Sequence, residues 1–252
     1  MSAEAPAAHS TVNNADKKAR DRFTSRRVAA ARFVAQRGLL KPLVWSLTRV
    51  TVLGRERLEQ LREDKGFIVV ANHSSHLDTP LIVGSLPRPL ARYLAAGAAA
   101  DYFFDVWWRR GLTALFFNAF PVRRTATSTE PVSSKGLLTR GVPLMIFPEG
   151  TRSKDGEVAD FKPGAAGLAL ACSVPIVPIA LIGVHLAHPR GTNWPKRGRL
   201  PVGVVYGEPI VPEPGESSAH LTTRARAEIL RLRDLHSAEI LSPSHSSRKA
   251  SR

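Results

Sequence analysis

The sequence predicts an α/β fold: a mixed, largely parallel sheet flanked by helices, with an N-terminal basic amphipathic helical segment. Short apolar runs of strand length recur along the chain, for example at residues 67–71 and 144–147. Segments with a helical pattern alternate with these runs, which is typical of a sheet covered by helices on both faces. With 252 residues, the chain is long enough for one such domain with short appendages.

The charge of the chain is strongly unbalanced. It contains 36 Lys and Arg against 21 Asp and Glu, for a net charge of +15. This excess favours polyanionic partners, either nucleic acid or the anionic face of a membrane. A single cysteine, Cys172, excludes an internal disulfide framework and a multi-cysteine zinc site. The first 27 residues contain no apolar run, so no signal peptide is expected.

The N-terminal region is predicted to be disordered over residues 1–15 and helical over residues 16–49. Between Lys17 and Lys41 there are nine basic residues and one acid. Gly38 and Pro42 are expected to divide the segment into two helices. Two interpretations remain open: a helix lying in a membrane interface, or a basic outer helix packed on its own domain. At helical spacing, one arc of the segment is apolar: Phe33, Leu39, Leu40, Leu43, Val44 and Leu47.

The rest of the chain divides into strands and helices by pattern. The predicted strands are 50–53, 67–71, 92–96, 119–122, 144–147, 176–181 and 202–206. The predicted helices are a short helix or loop at 55–64, one opening at residue 79, and 98–104, 106–117, 125–140, 163–172 and 216–240. Residues 163–189 carry no charge, but glycines and prolines interrupt them, so a core helix and strand are expected rather than a membrane span. Residues 242–252 are predicted to be a disordered tail.

A polar turn at residues 72–78 follows the buried strand at 67–71. It reads Asn-His-Ser-Ser-His-Leu-Asp and leads into the helix that opens at residue 79. If the turn coils, the carboxylate of Asp78 can accept a hydrogen bond from one imidazole nitrogen of His73. The other nitrogen then becomes a proton acceptor, which makes His73 a candidate general base. The alternative is that these residues only cap the helix.

Two further strand ends carry polar chemistry. Arg123 follows the strand at 119–122, and Glu149-Gly150-Thr151-Arg152 follows the strand at 144–147. The carboxyl ends of parallel strands share one edge of a sheet, so these groups can converge on His73. Arginine side chains offer planar, charged groups suited to a phosphate, and Gly150 permits a close approach of ligand to backbone.

The motifs Asn72–Asp78 and Phe147–Ser153, in this order and about seventy residues apart, strongly resemble those of the glycerolipid acyltransferases, whose type members are 1-acylglycerol-3-phosphate acyltransferases. Two weaker blocks agree, at 174–179 and 120–123. The second departs from the family pattern: Phe117 stands at the usual Gly and Val122 at the usual Asp, which leaves the choice of acceptor open. The resemblance covers about residues 50–210, within an expected acyltransferase domain at 50–241.

The resemblance implies transfer of a fatty acyl group from acyl-CoA or acyl-carrier protein to the free hydroxyl of a lysophospholipid. The acceptor would be 1-acylglycerol-3-phosphate, giving phosphatidic acid, or another glycerol- or lyso-lipid. His73 and Asp78 would be catalytic, while Arg123, Glu149, Gly150, Thr151 and Arg152 would bind substrate. No cofactor or metal is expected. The protein is expected at the anionic surface of a membrane, on its cytoplasmic face.

Three rival functions agree less well with the sequence. Ser74 or Ser75 as a nucleophile is disfavoured because neither lies in a Gly-x-Ser-x-Gly elbow. A metal hydrolase using His73, His76 and Asp78 lacks a known ligand spacing, and only His185 and His188 could supplement those residues. A nucleic-acid-binding module would explain the charge, but not the polar groups at the strand ends, so no nucleic acid partner is expected.

Overall fold

The computed structural model describes residues 22–62, 65–99, 115–122 and 133–242. Within them, seven strands form one sheet. The strands are β1 (Arg49–Leu53), β2 (Ile68–Ala71), β3 (Ala95–Ala99), β4 (Phe120–Val122), β5 (Leu144–Ile146), β6 (Ile176–Ile182) and β7 (Pro201–Tyr206). The α-helices are α1 (Arg26–Ala35), α2 (Lys41–Leu47), α3 (Asp78–Ser85), α4 (Arg88–Ala91), α5 (Ser134–Leu138), α6 (Gly164–Cys172), α7 (Val184–Ala187) and α8 (Ser218–Leu241).

The sheet has the order β1-β7-β6-β2-β5-β3-β4. Only the β6–β7 pair is antiparallel; all the other neighbours are parallel. The predicted mixed, largely parallel sheet is therefore confirmed. Because β6, β2, β5, β3 and β4 run in the same direction, their carboxyl ends lie along one edge. The segments that follow β2 and β5 leave this edge side by side.

Strand β2 lies in the middle of the core. Its four residues are all buried, and their side chains alternate between two apolar clusters, one on each face of the sheet. Val69 and Ala71 pack towards α3, whereas Ile68 and Val70 pack towards α6 and α8. Burial on both faces is typical of a parallel strand flanked by helices. This packing fixes the position from which the polar turn departs.

The N-terminal helices α1 and α2 are joined by a π-helical turn, Gln36–Leu40, which contains Gly38. Pro42 lies in the first turn of α2, where its missing N–H costs no helical hydrogen bond. Val44 is buried against the domain, but Leu39 is 61% and Leu43 46% exposed. The predicted apolar arc is therefore only partly covered by the domain.

Three sequence predictions were wrong in their bounds. The strand expected at 92–96 runs from Ala95 to Ala99, because α4 and a turn occupy the residues before it. Its last residues, 98–99, therefore do not begin the helix expected at 98–104. A continuous helix at 125–140 is excluded by Ser133, whose extended backbone and side chain cap α5.

Several predictions lie outside the described residues. These are the disordered N-terminus at 1–15, residues 100–114 of the two helices expected after β3, residues 123–132 and the tail beyond Ser242. The uncharged stretch at 163–189 divides into α6 and β6, as expected. In the part of the chain that the structure describes, no helix has the length and apolar character needed to cross a membrane.

Candidate active site

The polar turn is fixed at its start by Asn72, directly after β2. Its side-chain amide donates to the carbonyl of Leu181 (3.0 Å), and its side-chain oxygen accepts from the N–H of the same residue (2.8 Å). The buried amide thus imitates a peptide group and extends the pairing of β2 with β6 by one step. The chain that follows is held against the sheet edge.

His73 and Asp78 form a hydrogen-bonded pair. The distance from His73 Nδ1 to Asp78 Oδ2 is 2.8 Å. The same carboxylate oxygen accepts the backbone N–H groups of Ser74 (2.7 Å) and Ser75 (2.8 Å). Asp78 is the first residue of α3 and is fully buried. An ionised carboxylate can only accept, so Nδ1 carries the proton and Nε2 keeps a lone pair.

The imidazole of His73 is held in place without being enclosed. Its ring stacks on the ring of Phe147, with centroids 4.0 Å apart and planes 15° apart. The side chain retains 21% exposure, whereas its partner Asp78 has none. A ligand can therefore approach a histidine whose orientation is set on one side by the carboxylate and on one face by the aromatic ring. This arrangement suits a general base.

The second motif is bonded to the backbone of His73. Glu149 Oε1 accepts the N–H of His73 (2.7 Å), and its Oε2 accepts the N–H of Ala159 (3.3 Å). The N–H of Ser153 donates to the carbonyl of His73 (2.8 Å). Burial raises the pKa of Glu149 above its usual value. Both peptide groups of His73 are thus positioned by the turn that follows β5.

Gly150 lies at the tip of this turn, with φ of +73°. A Cβ atom at this position would lie 2.9 Å from the Nζ atom of Lys162. The backbone N–H of Lys162 donates to the carbonyl of Pro148 (3.0 Å), which holds the two segments together. The absence of a side chain at Gly150 therefore lets an exposed ammonium group lie over the turn.

Arg152 adds positive charge near two further histidines. Burial lowers the pKa of His76 to about 4, and the charge of Arg152 acts in the same direction. The same two causes, in the same order, lower the pKa of His188. Arg190 Nη1 donates to the carbonyl of Arg152 (2.9 Å), which connects the turn to the segment after α7. The site thus has a cationic side.

Ser75 and His188 form a buried pair beneath the polar turn. The distance from Ser75 Oγ to His188 Nδ1 is 2.7 Å, and Ser75 Oγ also accepts the N–H of Leu77 (3.2 Å). The rings of His76 and His188 are 6.3 Å apart at their centroids. In the described part of the chain, no group of three or more His, Cys, Asp or Glu side chains is arranged to hold a metal ion.

A protein-family model with the description Acyltransferase matches residues 49–182. This chain belongs to that acyltransferase family. The matched range contains the polar turn, the turn after β5 and strands β1 to β6. The resemblance read from the two motifs is therefore confirmed.

Similar proteins carry a more specific name. A 1-acyl-sn-glycerol-3-phosphate acyltransferase of Chlamydomonas reinhardtii is 34% identical over 145 residues, covering 57% of this chain and 41% of the algal protein. The human 1-acyl-sn-glycerol-3-phosphate acyltransferase alpha is 36% identical over 122 residues, covering 46% of this chain and 40% of the human protein. The chain thus spans less than half the length of these relatives.

A crystal structure of the 1-acyl-sn-glycerophosphate (LPA) acyltransferase PlsC from Thermotoga maritima matches with a TM-score of 0.64 and 27% sequence identity. The match covers 90% of this chain and 88% of that chain. The sheet and its flanking helices are therefore shared with an acyltransferase of similar size.

Within this acyltransferase domain, the structure brings together four of the seven predicted site residues: His73, Asp78, Glu149 and Gly150. Thr151 and Arg152 follow directly on the same turn, with Thr151 exposed. Arg123 lies outside the described residues. Sequence reasoning missed Lys162, and it treated His188 only as a loop residue or metal-ligand candidate. Neither residue lies in a motif, and each reaches the site only through the fold.

Proposed function

We propose that this acyltransferase transfers a fatty acyl group from an acyl thioester to the free hydroxyl of a lysophospholipid, with 1-acylglycerol-3-phosphate as the acceptor and phosphatidic acid as the product. The observation that carries the proposal is the 2.8 Å hydrogen bond between His73 Nδ1 and the buried Asp78 carboxylate. This bond leaves Nε2 of His73 free to accept the proton of the acceptor hydroxyl.

The reaction then needs no covalent enzyme intermediate. As Nε2 removes the hydroxyl proton, the acceptor oxygen attacks the thioester carbonyl, and a C–O bond forms. The C–S bond breaks as the tetrahedral intermediate collapses, and the thiolate takes the proton back from the imidazolium. Asp78 stabilises the imidazolium while it exists, and base catalysis of this kind contributes ~10²–10⁴-fold.

The acceptor phosphate is proposed to bind on the cationic side of the site. Arg152 and the ammonium group of Lys162 lie on and over the turn that is bonded to His73. A phosphate held there keeps the free hydroxyl of the acceptor on the same side of the site as the imidazole, because only two carbon atoms lie between that hydroxyl and the phosphate ester. Arg123 and Thr151 remain predicted members of this subsite. The Glu149 carboxylate is proposed to position the His73 backbone, since both its oxygens accept backbone N–H groups.

The donor is proposed to be acyl-CoA or acyl-carrier protein, with no cofactor. A direct test incubates the purified protein with acyl-CoAs or acylated carrier protein and a panel of lysophospholipids, and identifies products by mass. Formation of phosphatidic acid from 1-acylglycerol-3-phosphate supports the proposal. If only other lyso-lipids are acylated, the proposed acceptor is wrong. If none of the lysophospholipids is acylated, the proposed reaction is refuted.

We further propose that the enzyme works as a peripheral protein at the cytoplasmic face of a membrane. Val34, Leu39 and Leu43 on the N-terminal helices are 68%, 61% and 46% exposed. The N-terminal segment also carries nine basic residues and one acid between Lys17 and Lys41, in a chain of net charge +15. Apolar side chains that insert and cations that attract anionic lipids together favour the interface. The test measures binding of the protein to anionic vesicles and to DNA at rising salt concentrations. Salt weakens electrostatic binding but not the insertion of apolar side chains, so vesicle binding that survives salt better than DNA binding supports the membrane.

A further inference from the structure

A cleft lined by arginines lies between α1 and the segment around α4, apart from the candidate active site. Its charged lining consists of Arg26 and Arg37 from the N-terminal helices and Arg88 and Arg92 from the α4 region. Phe33, Gln36 and three alanines complete the wall. The cleft has a cavity volume of about 50 Å³ and is open to solvent. Arg88 and Arg92 are exposed, so a phosphate group can reach them from the solvent side.

The guanidinium groups are held in place by contacts that do not neutralise them. Arg37 Nη1 and Nη2 donate to the carbonyls of Gly84 (3.2 Å) and Leu86 (2.8 Å). The guanidinium of Arg88 lies 4.3 Å from the ring centroid of Phe33, and that of Arg37 lies 5.9 Å from the same ring. Carbonyls and an aromatic ring orient cations without cancelling their charge.

The cleft therefore concentrates positive charge. Among the residues that the structure describes, no Asp or Glu lines it, and none of its four arginines forms an ion pair with a described carboxylate. Four like charges around one space repel one another, and a bound anion converts this repulsion into attraction. Arginine is also the side chain best suited to a phosphate, because its planar group donates two parallel hydrogen bonds.

The cleft is separated from the catalytic pair by the length of α3. Asp78 is the first residue of this eight-residue helix, while Arg37 binds the carbonyls of Gly84 and Leu86 at its other end. Eight helical residues span about 12 Å. An anion in the cleft is therefore not the acceptor phosphate bound beside His73.

We propose that this arginine cleft is a separate binding site for the phosphate group of an anionic membrane phospholipid. Val34, which is 68% exposed, lies one helical turn after the cleft-lining Ala30 on α1, so an exposed apolar side chain borders the cleft and is available to the acyl region of a lipid whose phosphate occupies it. The site holds the enzyme at anionic lipid independently of the substrate being acylated. This inference rests on the membrane docking proposed above and specifies which headgroup chemistry the docking recognises.

The test compares Arg88→Gln/Arg92→Gln with a control, Lys135→Gln/Lys154→Gln, which loses the same charge from exposed positions elsewhere. Binding is measured to phosphatidylcholine vesicles with and without phosphatidic acid or phosphatidylglycerol, and to inorganic phosphate and short-chain phosphatidic acid in solution. We expect the cleft variant to lose at least about tenfold in affinity for the anionic vesicles and the control to lose less than about threefold. The rate at which the cleft variant acylates a monomeric, short-chain acceptor should stay within about twofold of the wild-type rate. A single variant, Arg26→Gln, and thermal melting of each protein exclude misfolding.

Each result decides the inference. Equal losses in the cleft and control variants mean that only diffuse electrostatics act, and the cleft is not a site. A large loss of activity on the monomeric acceptor in the cleft variant means that the cleft belongs to the catalytic acceptor site instead. Binding of inorganic phosphate as tight as that of short-chain phosphatidic acid means a free-phosphate site. If no protein, including wild type, binds anionic vesicles, the membrane docking fails while the acyl transfer assay still stands.

Discussion

Glu149 accepts the backbone N–H of His73 through Oε1 at 2.7 Å, so the motif after β5 holds the peptide group of the candidate base after β2. The neighbouring parallel strands make this contact possible, because their carboxyl ends leave the sheet at the same edge. The two motifs, about seventy residues apart in sequence, are therefore joined by a direct hydrogen bond.

Glu149→Gln should lower the activity although it changes only one atom. Each carboxylate oxygen accepts a backbone N–H, and an amide offers only one acceptor, so either His73 or Ala159 loses its partner. We expect kcat to fall about tenfold and the free energy of unfolding to fall by about 1–3 kcal/mol, as for other buried donors left unpaired. The exposed Glu59→Gln is the control. Wild-type kinetics and melting in Glu149→Gln would disprove the positioning role.

Asp78→Asn should affect turnover far more than folding. The neutral amide cannot stabilise an imidazolium as a carboxylate does, and it no longer fixes Nδ1–H as the tautomer of His73. We expect kcat to fall by ~10²–10⁴-fold. Asp160→Asn serves as a matched control, because Asp160 is fully exposed and pairs only with Arg226 in the described structure. An Asp78→Asn enzyme with at least half of wild-type kcat would contradict the proposed pair.

Gly150→Ala should weaken acceptor binding by displacing Lys162. The change combines a strained φ of +73° with a contact of 2.9 Å to the ammonium group. Gly215→Ala isolates the strain, since Gly215 has φ of +76° and open space around it. Gly164→Ala, in α6 with nothing within 4 Å, introduces neither effect. We expect KM for the acceptor to rise about tenfold only in Gly150→Ala, because a charge-assisted hydrogen bond contributes about 1.5–3 kcal/mol. A rise of similar size in Gly215→Ala would contradict this explanation.

The Ser75–His188 pair should make stability depend on pH. Burial and the nearby charge of Arg152 lower the pKa of His188, so the folded protein favours the neutral ring. The unfolded chain takes up the proton first as the pH falls below about 6.5. The contribution of His188 to stability is therefore complete above about pH 6.5 and is lost as the pH falls further. The melting temperature of wild type should drop more than that of His188→Gln between about pH 7.5 and 5.5.

Neighbouring groups remain in both proteins of this comparison. Asp78 contributes to the electrostatic surroundings of His188, and the charge of His188 in turn lowers the pKa of His76. His188→Gln therefore removes the contribution of His188 together with its effect on His76, and both changes make the pH dependence of the variant shallower than that of wild type. Ser75→Ala is a second variant, which leaves His188 Nδ1 without its 2.7 Å partner and should destabilise the fold by about 1–3 kcal/mol. An equal drop in wild type and His188→Gln would show that His188 does not titrate as described.

The sequence was sufficient to predict the sheet and the proximity of His73 to Asp78, because both depend on local patterns. Strands β2, β5 and β6 each coincide with an apolar run in the sequence. His73 and Asp78 are five residues apart, which already placed both residues at the end of one strand. The predicted strand at 92–96 failed because an apolar pattern does not show where a preceding helix ends. Local sequence therefore located the elements better than it located their ends.

Contacts between distant segments could not be predicted in the same way. Ser75 and His188 are 113 residues apart, and no pattern relates them. Lys162 lies over Gly150 because the loop after β5 folds back, which composition alone does not indicate. The strand-end rule predicted that the turn containing Glu149 would approach His73, but it could not predict that the Glu149 carboxylate accepts the backbone N–H of His73.

The most direct measurement is the rate of acyl transfer from acyl-CoA to 1-acylglycerol-3-phosphate by His73→Ala, beside wild type and His220→Ala. His220 also bonds a glutamate at 2.8 Å, through Nδ1 to Glu216, but it is exposed and lies on α8. We expect His73→Ala to lose at least ~10²-fold in kcat with its melting temperature retained, and His220→Ala to match wild type. A folded His73→Ala protein that keeps most of its activity would contradict the proposal that His73 is the base.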